Sequence, residues 1–437
     1  MDNFTKVVVR IAIGLACILV GIMIFFAIYF KIGDTMIAGG KGDDMSLFGM
    51  GKFILSEIQL SGEEKFVDNP EGETDDLHFT ASLTALDWKK RSEAGLTNAS
   101  VISSMKKLES RYAYSVIEPE LRQLYAEMYL VLEHYATQVP LCSNNITDIK
   151  YIAECLYVDC PEFFYHTGYE YLINKLKDNV VKVEYSPIYS FSQSDVEEMK
   201  TAINNYAIDC LAGIDTAWED FYKVQYIYEY LILYTDYDET VDYNQTICSV
   251  ALYSRSVCLG YARMMQYLLQ ELDIQTAIVI GETKDGVSHA WNLIKIGTAY
   301  YYTDPTWGDA SYLQSENEET LSMINYDYLC VTTDELSKTH LIDSSVPMPR
   351  CVFKYDNYFV RHNCFVSSIG NEQFDKAFGN AYHAGGAFSI KCSDENIFAD
   401  TEKYLIEDGN IYRFMPSPSE PVRYIKNENM YTYTFFQ

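Results

Sequence analysis

The chain has 437 residues, 33 Lys plus Arg against 62 Asp plus Glu, a formal charge of −29 and 48% hydrophobic residues. An apolar fraction near one half excludes a mainly disordered polymer and predicts about two or three domains with true cores. So acidic a chain lacks the clustered cations that displace counterions from phosphate backbones, which excludes nucleic acid as the main partner.

In chain order, Ile11 to Phe30 carries no charge, and at 1.5 Å per helical residue it reaches about 30 Å, the hydrocarbon thickness of a bilayer. Lys6 and Arg10 precede this run and Lys31 follows it, which favours residues 1–10 as a cytoplasmic N-terminus. The run exceeds the usual signal-peptide length and no small-x-small cleavage site follows. The sequence therefore predicts a single-pass cell-membrane protein, spanning at residues 11–30, with its C-terminal bulk extracellular. Cys17 reads as a small apolar side chain within that span rather than a lipid acceptor.

Residues 31–97 are rich in Gly, Asp and Glu, with weak periodicity apart from Phe53-Ile54-Leu55, and read as a spacer. Residues 98–217 read as a helical region, because Glu118 to Tyr135 and Ile146 to Val158 place apolar residues at three- and four-residue intervals. Within it Val180 to Tyr189 reads as extended, and a long helical stretch runs from Ser194 to about Leu233. Residues 344–437 turn to aromatic alternation, as in Tyr358-Phe359-Val360 and Tyr431 to Phe435, and predict a β-rich extension.

Eleven cysteines are present without a C-x-x-C pair, and Cys155 and Cys160 lack the histidines or second pair of a zinc site. The acidic residues are scattered and form no EF-hand loop. No metal and no cofactor is expected. In an exported protein some cysteines would form disulfides, with a connectivity that spacing does not encode.

The chemistry concentrates in residues 218–343. Ser256-Val257-Cys258-Leu259-Gly260-Tyr261-Ala262 leads into a helical pattern, with Met264, Met265, Leu268, Leu269 and Leu272 on the face of Tyr261. Cys258 thus stands where a helix begins, and the free N–H groups and positive dipole end there stabilise a thiolate and can hold an oxyanion. Downstream, Ser288 to Ile296 alternates as a strand, Gly297-Thr298 suits a type II′ hairpin turn, and Ala299 to Asp304 returns. That loop sets Ile296 opposite Ala299, Leu293 opposite Tyr302 and Trp291 opposite Asp304, which puts Asp304 on the face of His289. A carboxylate that orients an imidazole leaves its other nitrogen for a thiol. Taken singly, Cys258 reads as a core residue, His289 as a satisfied histidine and Asp304 as a turn former; the ordered trio favours a triad.

Cys258 to Ala262, His289-Ala290-Trp291-Asn292 and Asp304-Pro305-Thr306-Trp307-Gly308-Asp309 together resemble the transglutaminase-like superfamily, in its membrane-anchored bacterial form. The resemblance implies an α+β fold with a papain-like core at about 218–343, preceded by the helical region and one N-terminal transmembrane helix and followed by the β-rich extension. It implies Cys258 as nucleophile, His289 as general base and then acid, and Asp304 as the orienting residue. The glycine that often precedes the family's cysteine by two positions is replaced by Ser256. Trp291, Trp307, Tyr237 and Gln245 are candidates for the substrate cleft, while His340 has no visible chemical partner.

The expected activity is thiol-dependent acyl transfer or hydrolysis of amide or peptide bonds at the cell surface, through a thioester, on a protein or peptide substrate or cell-wall material. Hydrolysis is favoured, since no device for excluding water is visible. The alternative is a catalytically silent module that binds peptide or cell-wall polymer. The oligomeric state is not encoded in any pattern seen here.

Overall fold

The first strand of the fold comes from the segment expected as a spacer. In the computed structural model, which describes residues 52–436 apart from 61–63, 310–323, 382–386, 416–418 and 420, strand β1 (Lys52–Gln59) opens the chain. With β2 (Val139–Pro140), β3 (His166–Leu176) and β4 (Asn179–Tyr189) it forms a sheet of order β1-β3-β4-β2. The β1–β3 pairing is parallel, with Leu55 opposite Tyr171. Next, Thr84 and Asp87 form a capping box that starts the helix Ala85–Glu93, meeting the free amides of the first turn. From that helix Arg91 reaches Glu127 with two parallel hydrogen bonds, 2.7 and 2.8 Å, and also donates to the Pro140 carbonyl. Glu127 accepts further from Gln123 and from the Cys142 amide. Charges that suggested a solvated linker are thus partners in a buried network.

The helices Arg122–Glu133 and Ile146–Asp159 lie where their periodicity predicts. Val180 to Tyr189 is extended as expected, forming β4, but its hairpin partner β3 falls where helix was expected, and the stretch from Ser194 to Leu233 divides into Gln193–Leu211 and Asp220–Tyr234. The break follows Gly213 and the turn in which Asp215 accepts from the Ala217 amide.

Strands β5 (Asp236–Tyr237) and β6 (Arg255–Ser256) pair just before the helix Cys258–Gln270. The central sheet follows, built from β7 (Thr276–Thr283), β8 (Ser288–Ile296), β9 (Ala299–Thr303) and β10 (His340–Ile342) in the order β10-β7-β8-β9. Its hairpin has the expected register, with Ile296 opposite Ala299 and Leu293 opposite Tyr302. Gly297 takes a φ of 58°, as the first loop position of a type II′ turn requires. Leu259 of the helix packs on Ile278, Ile280 and Ala290 of the sheet.

Gly281 lies between His289 on one neighbouring strand and Ile342 on the other. A Cβ there would stand 2.0 Å from the Leu341 carbonyl oxygen and 2.6 Å from the Trp291 ring. Backbone cannot yield as a side chain can, so Gly281→Ala is expected to cost about 1–3 kcal/mol and to push β10 outward. Urea denaturation of the purified variant checks this; an unchanged midpoint contradicts it.

The C-terminal part is an α/β unit rather than a purely β-rich one. Strands β11 (Phe365–Val366), β12 (Ala387–Cys392), β13 (Arg423–Asn427) and β14 (Thr432–Phe436) run in the order β11-β12-β14-β13. The helices Asn371–Ala381 and Glu395–Glu402 contribute Phe374, Phe378 and Phe398 to a core shared with Ile390, Tyr433 and Phe435.

The expected membrane architecture is corrected. The run Ile11 to Phe30 lies outside the described residues, and among those described no helix is long and apolar enough to cross a membrane. Gln193–Leu211, at 19 residues, has the length but carries Asp195, Glu197, Glu198, Lys200 and Asp209, charges that hydrocarbon does not accept. The single-pass, extracellular assignment is accordingly withdrawn.

Candidate active site

Cys258 begins its helix with Val257 as N-cap at extended φ and ψ of −106° and 179°. The approach is held by the Asn244 carbonyl, which accepts from the Val257 amide at 3.2 Å and from Ser256 Oγ at 2.7 Å. Ser256 also bonds Ser249 at 2.8 Å. A Cβ on Gly260 would fall 1.8 Å from Ser256 Oγ and 2.8 Å from the Asn244 oxygen. Ser256, in the position where the family often has glycine, is therefore accommodated by the bare backbone of Gly260 on the next turn.

All ten described cysteines are free, and of these Cys258 alone is partly exposed while the other nine are buried. Burial pushes those nine thiols up, to about 11 at Cys364 and Cys392 and about 12 at Cys210, Cys248 and Cys351.

His289 projects from β8 and is 3% exposed. Its Nε2 lies 2.7 Å from Asp304 Oδ2, which leaves Nδ1 free of that bond, and the Cys258 sulfur is near enough to favour a charged imidazole. Burial opposes a charged imidazole, but the Asp304 carboxylate and the Cys258 sulfur outweigh it and hold His289 at about 10. Asp304 is fully buried. Burial alone would raise its carboxyl, yet His289 and His340 together hold it well below the usual carboxylate range. As N-cap of the short helix Pro305–Gly308, its Oδ1 accepts from the Thr306 amide at 2.9 Å and the Trp307 amide at 3.1 Å.

His340 does have a partner, contrary to the sequence reading. Its Nε2 lies 3.1 Å from the same Asp304 Oδ2, and its Nδ1 lies 2.8 Å from Thr339 Oγ1. The sole hint in the sequence is a histidine inside a short apolar alternation, Thr339-His340-Leu341-Ile342.

The other candidates separate. Trp291 is fully buried, with its ring 4.9 Å from that of His340, so it packs beneath the site and lines no cleft. Trp307 is half-buried, 6.0 Å from His289 between ring centroids. Tyr237, half-buried, pairs opposite Ser256 two residues from the nucleophile. Gln245 is exposed, and its carbonyl accepts from Arg263. Asn292 donates to the Ala262 carbonyl at 2.8 Å and ties β8 to the Cys258 helix.

His289, Asp304 and His340 bring ligand-type atoms within 4.8 Å of one another, a set able to hold a metal ion. The same atoms are engaged with each other at 2.7 and 3.1 Å. A cation there would have to displace the Nε2 protons and break the bond that orients His289, so these residues fit the hydrogen-bonded triad better than a metal centre.

A half-exposed sulfur at a helix start, an imidazole near it and a buried carboxylate behind define a papain-like thiol-enzyme class. Residues 209–305 match the family model of the transglutaminase-like superfamily, and the chain carries a domain of that superfamily. Among solved structures, one described as the crystal structure of a TGase is 12% identical, with a TM-score of 0.24, over 36% of this chain and 47% of that one. A chain from Cytophaga hutchinsonii described as a candidate cysteine protease is 14% identical, with a TM-score of 0.21, over 29% of this chain and 52% of that one. The present chain thus spans about half of each. No curated protein matches.

Proposed function

We propose that the protein catalyses thiol-dependent acyl transfer or hydrolysis on amide or peptide bonds of a protein or peptide substrate. The observation that carries this reading is His289, held at 2.7 Å by the buried Asp304 carboxylate and coupled electrostatically to the sulfur of Cys258 at its helix start. With the proton on His289, Cys258 Sγ attacks the carbonyl carbon and its oxygen takes up the negative charge. The unpaired amides of the first helical turn are the donors for that oxyanion. Collapse re-forms the carbonyl and breaks the C–N bond, and the His289 proton leaves with the amine. The result is a thioester on Cys258. Water or a second amine then attacks, returns a proton through His289 and frees the thiol. The partial exposure of Cys258 leaves water a path, which favours hydrolysis.

The test is alkylation of the whole protein by iodoacetamide at pH 6.5, followed by peptide mass analysis. Cys258 is expected to react first among the described cysteines, and His289→Ala to slow it about a hundredfold. Labelling that is slow in the wild type and indifferent to His289→Ala would favour the silent binding module.

A further inference from the structure

We propose that His340 is a positioning residue that holds the Asp304 carboxylate in line with His289. This rests on the functional reading above, but its geometry stands apart from any reaction. A carboxylate oxygen offers two lone-pair directions. On Oδ1 both are met by the Thr306 and Trp307 amides; on Oδ2 they are met by His289 at 2.7 Å and His340 at 3.1 Å. Asp304 therefore has no direction left in which to turn. His340 is itself oriented, with Nδ1 on Thr339 Oγ1 and its ring against Trp291, Trp307 and Tyr328 at 4.9, 4.6 and 5.5 Å. At 1% exposure it touches no substrate. The two imidazoles reach one oxygen from strands on either side of β7, across the position where Gly281 has no side chain. Removing His340 leaves a buried carboxylate oxygen one donor short and free to swing away from His289.

The decisive readout is the low-field proton NMR signal of the His289 Nε2–H in a Cys258→Ala background, where thiol chemistry plays no part. His340→Leu is expected to broaden or remove that signal, and His340→Gln, whose side-chain amide supplies an N–H at the same reach, to restore it. Thr339→Val, which takes the hydroxyl from His340 and keeps its shape, is expected to weaken the signal and serves if the Leu variant does not fold. With the thiol present, His340→Leu is expected to slow Cys258 alkylation at pH 6.5 about tenfold, and His340→Gln to recover most of it. A His289 signal unchanged in His340→Leu or Thr339→Val, or lost equally in the Gln variant, overturns the proposal. A signal that follows His340 as expected while wild-type Cys258 is inert keeps the positioning role and sinks the enzymatic reading.

Discussion

Asp304→Asn is expected to slow Cys258 alkylation about a thousandfold or more, because the amide presents N–H groups to two imidazoles and favours the wrong tautomer of His289. It is also expected to destabilise the fold by about 3–5 kcal/mol, since a buried charge pair loses one member. The pH dependence follows from the directions of the two shifts. His289, raised to about 10, contributes stability that is fully present below the unfolded histidine value of about 6.5 and is lost as pH rises through 10. Asp304, lowered, contributes above the unfolded carboxylate value of about 3.9, and that contribution is lost only as pH falls through its depressed folded value. The difference in urea midpoint between wild type and Asp304→Asn should therefore be widest between about pH 5 and 6.5 and narrow toward pH 10. A constant difference across that range would mean that Asp304 does not pair with a charged His289.

Arg91→Met is expected to cost about 3–5 kcal/mol while leaving Cys258 reactive in whatever protein remains folded. Arg91 and Glu127 are both sealed, with side chains 2% and 0% exposed. Without the guanidinium, Glu127 keeps only Gln123 and the Cys142 amide for a full charge. Calorimetry at neutral pH, with iodoacetamide labelling below the transition, separates the two effects. A melting temperature within a degree or two of wild type would show that the pair is dispensable.

What the sequence made legible was local. The hairpin carrying His289 and Asp304 is set by a two-residue loop and strict alternation, so register, face and proximity follow from nearby residues. The helix start at Cys258 is equally local, marked by an apolar stripe beginning at a fixed residue. His340 was not legible because its strand joins the sheet beside β7, with 35 residues between Asp304 and it, and no periodicity links the two. Trp291 could be read either as a cleft wall or as packing beside the catalytic strand, and its full burial makes it packing. Residues 31–97 misled through their average composition: Arg91 and Asp87 count as surface charge until Glu127 and Lys182, 36 and 95 positions away, are seen to meet them at 2.7 and 2.6 Å.

The parallel pairing of β1 on β3 also limits how this chain can be divided. Strand β1 supplies the outer edge of its sheet, and most of its described side chains are exposed, Leu55 and Ile58 among them. A cut after residue 97, the end of the segment that composition marks as a spacer, strips β3 of its neighbour and bares a row of amides and carbonyls between Gly168 and Lys175. A naked strand border of that kind is a template for self-association. The stretch matched by the family model, 209–305, goes further and omits both β10 and the sheet on which β1 lies. In this protein the smallest piece that preserves the site's surroundings is much larger than the piece that makes the family recognisable.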